Sequence, residues 1–456
     1  MSTTPPAGLS RRALLTGAAA LGVGLAATGG GRLRSSTSPT PAVLGDEPLA
    51  LRAAPEHTGR TTPLPDLAAL AAEVGAGEPV CFVDLGGLEA NLALLASFAA
   101  DHGWSLRPSL KSLQSPEFTG AVLAQLPEPR GMVFHLRHVD PIVAAAPEHV
   151  DLLTGYVPTL GELAAHLARP GPERPHRLRL TVDSLPLLER TIELARDGAR
   201  ALPVELCFEL DAGSGRGGFT DVDDVVAAAR LLVDAPDAVR LTALLCYDGH
   251  ATLSPATPLR RTIAADARRR LARLHDALRE AAGGAVEELE INGPGSSNYT
   301  QWVGDELLTE ISPGSALLYA RYLRAGFDDD ALELACVLAA PVLRVVGRLP
   351  RVPLTAIELP GADRDQLMLK GGGWPSGGGR QPTMIWPEGL EDNELYGGRG
   401  NNTGTVTAPA GSLGLGDYLL LWPHQVGDAI DHFGAVTAVR DGRVEASWPT
   451  FARWGA

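Results

Sequence analysis

Between residues 80 and 315 short apolar runs alternate with longer stretches of helical periodicity, and this alternation constrains the fold more than any other feature. The runs are Ser105–Lys111, Gly131–Leu136, Val150–Gly155, Arg177–Asp183, Val204–Asp211, Val239–Tyr247, Glu287–Asn292 and Leu307–Ile311. Leu88–His102, Asp221–Val233 and the arginine-rich Pro258–Ala281 carry the helical pattern between them. Strands that alternate with helices pair in parallel, because each helix returns the chain to the same end of the sheet. Eight strands over this span fit a (β/α)8 barrel better than an open sheet.

After about Ala325 the helical periodicity fades. Leu332–Val346, Val352–Leu359, Gln366–Leu369, Tyr418–Leu421 and Val436–Ala446 read as strands, separated by loops such as Gly371–Gly379 and Gly397–Gly404. The pattern predicts an α/β protein: a barrel over residues 50–325 followed by a mostly β domain over 326–456. Arg60–Pro79 is expected to add a strand to that second domain.

Residues 1–49 read as a signal and linker. Ser10-Arg11-Arg12 precedes a mildly apolar stretch, Ala13–Ala27, too short to span a bilayer comfortably. Paired arginines in that position resemble a twin-arginine export signal; an ordinary secretory signal or an uncleaved anchor is the alternative. Export to the periplasm or cell exterior through the twin-arginine machinery is the expectation. The formal net charge of −15 argues against nucleic acid or an anionic membrane surface as the main partner. Cys81, Cys207, Cys246 and Cys336 form no C-x-x-C pair, so no zinc knuckle or redox motif is indicated.

Only two of the 39 basic residues are lysines, Lys111 and Lys370. A lysine kept among arginines can do what a guanidinium cannot, such as form an imine with an aldehyde; codon bias is the plainer explanation. In a barrel, chemistry sits where strands give way to loops at their C-terminal ends. Those ends are Lys111, His135, Thr154, Asp183, Asp211, Tyr247, Asn292 and Glu310. Lys111 ends Arg107-Pro108-Ser109-Leu110-Lys111-Ser112, and a lysine ending a buried strand is costly unless deprotonated, paired or snorkelling to the loop face.

After the seventh barrel strand comes Asn292-Gly293-Pro294-Gly295-Ser296-Ser297-Asn298. Its small residues let backbone N–H groups approach an anion, and barrels bind phosphate after strands seven and eight. Gly213, Gly215 and Gly218 spell G-x-G-x-x-G after the fifth strand, but the motif lies mid-chain and Arg216 occupies a position that favours a smaller residue. A loop that places Asp211 and Arg216 on the barrel face is the better reading. Tyr247-Asp248-Gly249-His250 ends the sixth strand and could stack on, or hydrogen-bond to, a planar cofactor. A buried lysine opposite a phosphate cradle points to pyridoxal 5'-phosphate.

These segments together resemble the alanine-racemase-like, fold-type III pyridoxal-phosphate enzymes, most of all the D-threonine aldolase and D-serine dehydratase branch. Arg107-Pro108-Ser109-Leu110-Lys111-Ser112 is similar to the family's cofactor-lysine motif, with Ser109 in place of a histidine. Phe82-Val83-Asp84-Leu85 with Asn91, Val182-Asp183-Ser184, Asp211-x-Gly213-x-x-Arg216-x-Gly218, Tyr247-Asp248-Gly249-His250, Gly293–Ser297 and Glu310-x-x-Pro313-Gly314-Ser315 follow in the family's order. The resemblance implies a homodimer that acts at Cα of a small amino acid, of D-configuration. It assigns Lys111, Arg216, Tyr247 and His250 to catalysis, and Lys111, Asp211, Arg216, Tyr247, Gly293, Gly295, Ser296 and Ser297 to the cofactor. That branch also holds a divalent metal through a late His-x-Cys or His-x-Asp; here His424 is the candidate ligand, but Val426 stands two residues on and breaks the pair. Tyr396 and Tyr418 are candidates for the second base that a racemase needs. A racemase of the same fold and a non-catalytic pyridoxal-phosphate-binding protein are the alternatives to a lyase.

Overall fold

The computed structural model describes residues 59–170, 176–199, 203–253, 257–286, 288–325, 331–346, 364–372, 374, 380–387 and 403–451. After β1 (Val80–Asp84), the chain forms β2 (Ser105–Leu106), β3 (Arg130–Val133), β4 (Val150–Thr154), β5 (His176–Val182), β6 (Val204–Glu209), β7 (Val239–Leu245), β8 (Glu290–Asn292) and β9 (Glu310–Ile311). β2 to β9 make one parallel sheet in the order β2-β9-β8-β7-β6-β5-β4-β3. A parallel bridge between Ser109 and Met132 joins its two ends, so the eight-stranded barrel is nearly closed. All of the barrel strands except β5 are shorter than their apolar runs, because residues such as Lys111, His135, Asp211 and Tyr247 leave the ladder for the loops of the barrel mouth.

The remaining strands are β10 (Cys336–Val346), β11 (Arg364–Lys370), β12 (Thr383–Trp386), β13 (Thr403–Pro409), β14 (Tyr418–Trp422), β15 (Ala435–Arg440) and β16 (Arg443–Pro449). They form a second sheet in the order β12-β14-β10-β1-β15-β16, with β11 attached to β10 and β13 to β11. The strand expected within Arg60–Pro79 is instead the helix Leu64–Val74, which buries Leu67, Leu70 and Ala71 at helical spacing. β1 follows it at once, and all five of its residues are buried between β10 and β15. The single run expected over Val436–Ala446 is a hairpin. Its turn is Asp441-Gly442, both at positive φ (49° and 72°), an Asp-Gly pair that favours such a turn. Val352–Leu359 and Tyr396 lie outside the described residues.

The opening Val-Asp and Asn residues act as structural ties. The Asp84 carboxylate accepts from Gly87, Thr61 and Thr62 N–H groups at 2.9–3.0 Å. Asn91 Nδ2 donates to the carbonyls of Leu317 and Glu333, fastening the first barrel helix beside the second sheet.

The lower half of the barrel is filled by charge. Arg107 and Arg179 are fully buried. Arg107 Nε donates to both oxygens of Glu310 at 2.9 Å, and its Nη1 meets Asp151 at 2.9 Å. Arg179 reaches Asp151 at 2.7 Å and Glu290 at 2.5 Å. Burial works against the Arg107 charge, but Glu310 and Asp151 outweigh it and raise the pKa. Glu310 therefore does not face the loops of the barrel mouth. It begins β9 and pairs with Arg107, just beyond β2.

Candidate active site

A cavity of about 570 Å³, counting its open mouth, lies at the C-terminal ends of the barrel strands. Lys111, Arg216, Tyr247, Gly293, Gly295 and Ser296 all face it.

Lys111 sits on the 3-10 turn Leu110–Ser112, just past the first barrel strand. Its Nζ lies 4.5 Å from the centroid of the Phe134 ring, a favourable place for a cation that lacks a carboxylate partner. The side chain keeps solvent access through the mouth, yet surrounding protein lowers its pKa. Desolvation is the largest cause, Arg216 adds to it, and Asp428 opposes it. Lys370 is different: it pairs with Glu78 and does not line the cavity.

Arg216 is held from two sides. Its Nε lies 3.1 Å from Glu209 and its Nη2 donates to the Gly155 carbonyl at 2.7 Å. The guanidinium stands 5.0 Å from the centroid of the Tyr247 ring. Burial raises the pKa of Tyr247 despite Arg216, so its hydroxyl stays protonated well into the alkaline range.

Two loops form the other wall. Ser296 Oγ accepts from the N–H groups of Gly314 and Ala316 at 2.9 and 3.0 Å, and Asn292 Nδ2 donates to Ser312 Oγ at 2.7 Å. Tyr322, which the sequence did not suggest, lines the same wall beside Ser315 and Ser296. Burial raises its pKa strongly. Gly295, Ser296 and Ser315 are buried residues of this wall, and among the described residues their backbone N–H groups have no acceptor. Unpaired buried donors are rare and mark a place for an acceptor. A Cβ on Gly314 would come 2.6 Å from the Ser109 carbonyl, so a glycine there lets the cradle approach the Lys111 segment.

Asp211, His250, Ser297 and His424 do not reach the cavity wall. The Asp211 carboxylate is taken by the N–H groups of Ser214 and Gly215 at 3.1 and 3.3 Å, so it shapes the glycine loop that carries Arg216. His250 has its Nδ1 buried. The His424 ring stands 6.0 Å from that of Tyr322, and its carbonyl accepts from Tyr322 N–H at 3.3 Å. No group of three or more His, Cys, Asp or Glu side chains is placed to hold a metal ion among the described residues. Tyr418 is committed elsewhere: its hydroxyl bridges Gly77 N–H and the Glu78 carbonyl.

The second sheet's domain completes the site. Gln425 lines the cavity, and Gly427 on the short helix Val426–Ile430 packs against the Lys111 carbonyl.

Residues 83–321, more than half of the chain, match the sequence profile of the alanine racemase N-terminal domain. The chain belongs to that family. As a member of the alanine racemase N-terminal domain family it is similar to a D-threonine aldolase from an Arthrobacter species, at 27% identity over 388 residues covering 82% of this chain and 92% of that protein. Among solved structures it resembles D-threonine aldolase from Filomicrobium marinum, with a TM-score of 0.66 at 20% identity over 87% of this chain and 98% of that one. D-threo-3-hydroxyaspartate dehydratase from Delftia sp. HT23 gives 0.65 at 20% identity over 82% and 98%. Alanine racemase from Bacillus anthracis gives 0.60 at 12% identity over 81% and 97%. These structural likenesses establish the fold: the barrel and second sheet of the alanine racemase architecture.

Proposed function

We propose that this chain is a pyridoxal-phosphate-dependent lyase acting at Cα of a D-amino acid. One observation carries the reading: an isolated amine, Lys111, and a set of unpaired N–H groups of buried residues share one cavity. They match the two ends of that cofactor, its aldehyde and its phosphate. Gly295, Ser296 and Ser315 would receive the phosphate, with the Ser296 and Tyr322 hydroxyls behind them. Lys111 would hold the aldehyde carbon. When bound, pyridoxal phosphate supplies an electron sink that weakens the bonds at Cα of an attached amino acid.

The protein's own part follows from the geometry. A lowered pKa lets Lys111 act as a neutral amine that takes a proton from the substrate and returns it, a general-base role. Arg216, fixed by Glu209 and Gly155, is a permanent donor that can orient a carboxylate or a ring nitrogen. Tyr247 presents its ring beside Arg216 and supports a planar cofactor. The second sheet's domain narrows the mouth through Gln425, which favours an enzyme over a carrier that merely stores the cofactor.

The names of the relatives, aldolase and dehydratase acting on D-configured substrates, support the lyase over a racemase. Racemisation needs a base on each face of Cα. Among the described cavity-lining residues the other proton carriers are Tyr247 and Tyr322, whose pKa values are raised, and Tyr418 is engaged elsewhere. The deciding experiment follows solvent deuterium exchange at Cα and product formation over D- and L-amino acids, including D-threonine and D-threo-3-hydroxyaspartate. Exchange or cleavage confined to D-substrates supports the reading. Interconversion of enantiomers selects the racemase instead, and a bound cofactor with no exchange at all selects the carrier. Repeating the assay with a chelator and with added divalent metal tests whether His424 recruits an ion.

A further inference from the structure

Asp248 belongs to the Tyr247-Asp248-Gly249-His250 segment but does not line the cavity. Its side chain is buried, with 0% exposure. Oδ2 accepts from the Trp302 indole N–H at 2.9 Å, and its backbone carbonyl accepts from Asn298 Nδ2 at 3.3 Å. Trp302 is also fully buried and ends the 3-10 turn Tyr299–Trp302, which continues directly from the Gly293–Asn298 loop. Asn298 N–H returns to the Gly295 carbonyl at 3.4 Å, and Gln301 N–H to the Asn298 carbonyl at 2.9 Å. One residue at the end of the sixth barrel strand thus grips the loop where it finishes and again one turn later. From the cavity side, Gly295 rests on the Tyr247 ring, which a Cβ there would meet at 3.1 Å. Tyr247 and Asp248 therefore hold the loop between them.

We propose that Asp248 is a positioning residue for the anion cradle, fixing the Gly293–Asn298 loop through Trp302 and Asn298 so that its N–H groups converge on a phosphate. The inference rests on the reading that a phosphate-bearing cofactor occupies the cavity.

The form in which Asp248 acts also follows from its surroundings. Its Oδ1 and the Oδ1 of Asn298 are both buried without a donor among the described residues. A buried carboxylate with so few donors is costly, while a proton on it removes the charge and supplies a donor. Burial pushes the Asp248 pKa up against the opposing hydrogen bonds of Trp302 and Asn298. An amide of the same shape keeps the acceptor for the Trp302 indole without the charge and can replace Asp248.

The test uses full-length protein stripped of cofactor and titrated separately with pyridoxal phosphate and with pyridoxal, which has the aldehyde but no phosphate. Asp248→Ala and Trp302→Phe each weaken pyridoxal phosphate about tenfold, the scale of one lost buried hydrogen bond, and leave pyridoxal binding unchanged. Asp248→Asn keeps wild-type affinity for both. Should Asp248→Ala fail to fold, Trp302→Phe and Asp248→Asn make the same comparison. Unchanged pyridoxal phosphate affinity in the folded alanine or phenylalanine variant overturns the proposal. So does an equal loss of both ligands, because a strut for the cradle affects only the ligand that carries phosphate. If wild-type protein binds both ligands equally, the phosphate site itself fails, and that result is distinguishable from a failure of Asp248 alone.

Discussion

Gly427 packs so closely on the backbone carbonyl of Lys111 that a Cβ at that position has no room. The contact joins the second domain to the one turn of the barrel that carries the amine. Gly427→Ala must push either the Val426–Ile430 helix or the lysine turn, and overpacking of this kind costs about 1–3 kcal/mol. We expect a lower melting temperature and less cofactor bound per chain, read from visible absorbance beside the protein band. A variant that melts and loads like wild type would show that the lysine turn is set by the barrel alone.

Lys111 should be the point of attachment. Borohydride reduction of cofactor-loaded protein, followed by peptide mapping, should place the label on Lys111 and leave Lys370 unmodified. The pH dependence has a definite sign. Desolvation, with Arg216, lowers the Lys111 pKa below the ordinary value of 10.5, so the reactive neutral amine is already present at lower pH. The midpoint for aldehyde capture by cofactor-free protein should therefore lie below 10.5. Arg216→Met removes a cation that lowers the pKa and should move the midpoint up. Asp428→Asn removes a carboxylate that raises it and should move the midpoint down. Shifts in the opposite directions would contradict this electrostatic account.

The pair Arg107–Glu310 ties the end of β2 to β9, two strands that share only two residue pairs. Glu310→Gln leaves a fully buried guanidinium with less compensation, and removing one partner of such a pair typically costs about 3–5 kcal/mol. Denaturant unfolding should show a loss approaching that size. It should be tempered by Asp151 and Glu290, which also face Arg107. A change near zero would mean that those two carboxylates already satisfy Arg107.

Much of this was legible before any coordinates. The eight strands, and the mouth positions of Lys111, Tyr247 and the glycine loop after the seventh strand, follow from periodicity and from where polar residues end apolar runs. What stayed hidden has physical reasons. Periodicity places Asp211 on a strand end, but it cannot tell a carboxylate aimed at a ligand from one consumed by the N–H groups of its own loop. Glu310 looked like a strand end because a two-residue strand has too little pattern to set its register, and its partner Arg107 is distant in sequence. Tyr322 lies in a 3-10 turn beyond the last barrel strand, with no motif to mark it, and only the folded chain brings it beside Ser296 and Ser315. The β1 strand joins the second sheet through pairings with residues more than 250 positions away, which no local signal encodes. The Asp-Gly turn at 441–442, in contrast, was a readable hairpin signal inside the run taken for one strand.

The first 58 residues fall outside the described structure. For them we propose the reading that the sequence supports, export of the folded protein by the twin-arginine route. Two features bear on it. Arg11 and Arg12 precede a mildly apolar stretch with the composition of such a signal. The proposed cofactor sits in a cavity whose walls come from both the barrel and the second domain, so it can be held only once the chain has folded. A cofactor acquired in the cytoplasm then requires a route that carries folded protein. Replacing Arg11 and Arg12 together with lysine keeps the charge but removes the guanidinium pair. Cell fractionation should then find the protein retained inside, folded and carrying its cofactor. Normal export of that double variant would assign the segment to the general secretory route and would require the cofactor to be loaded outside.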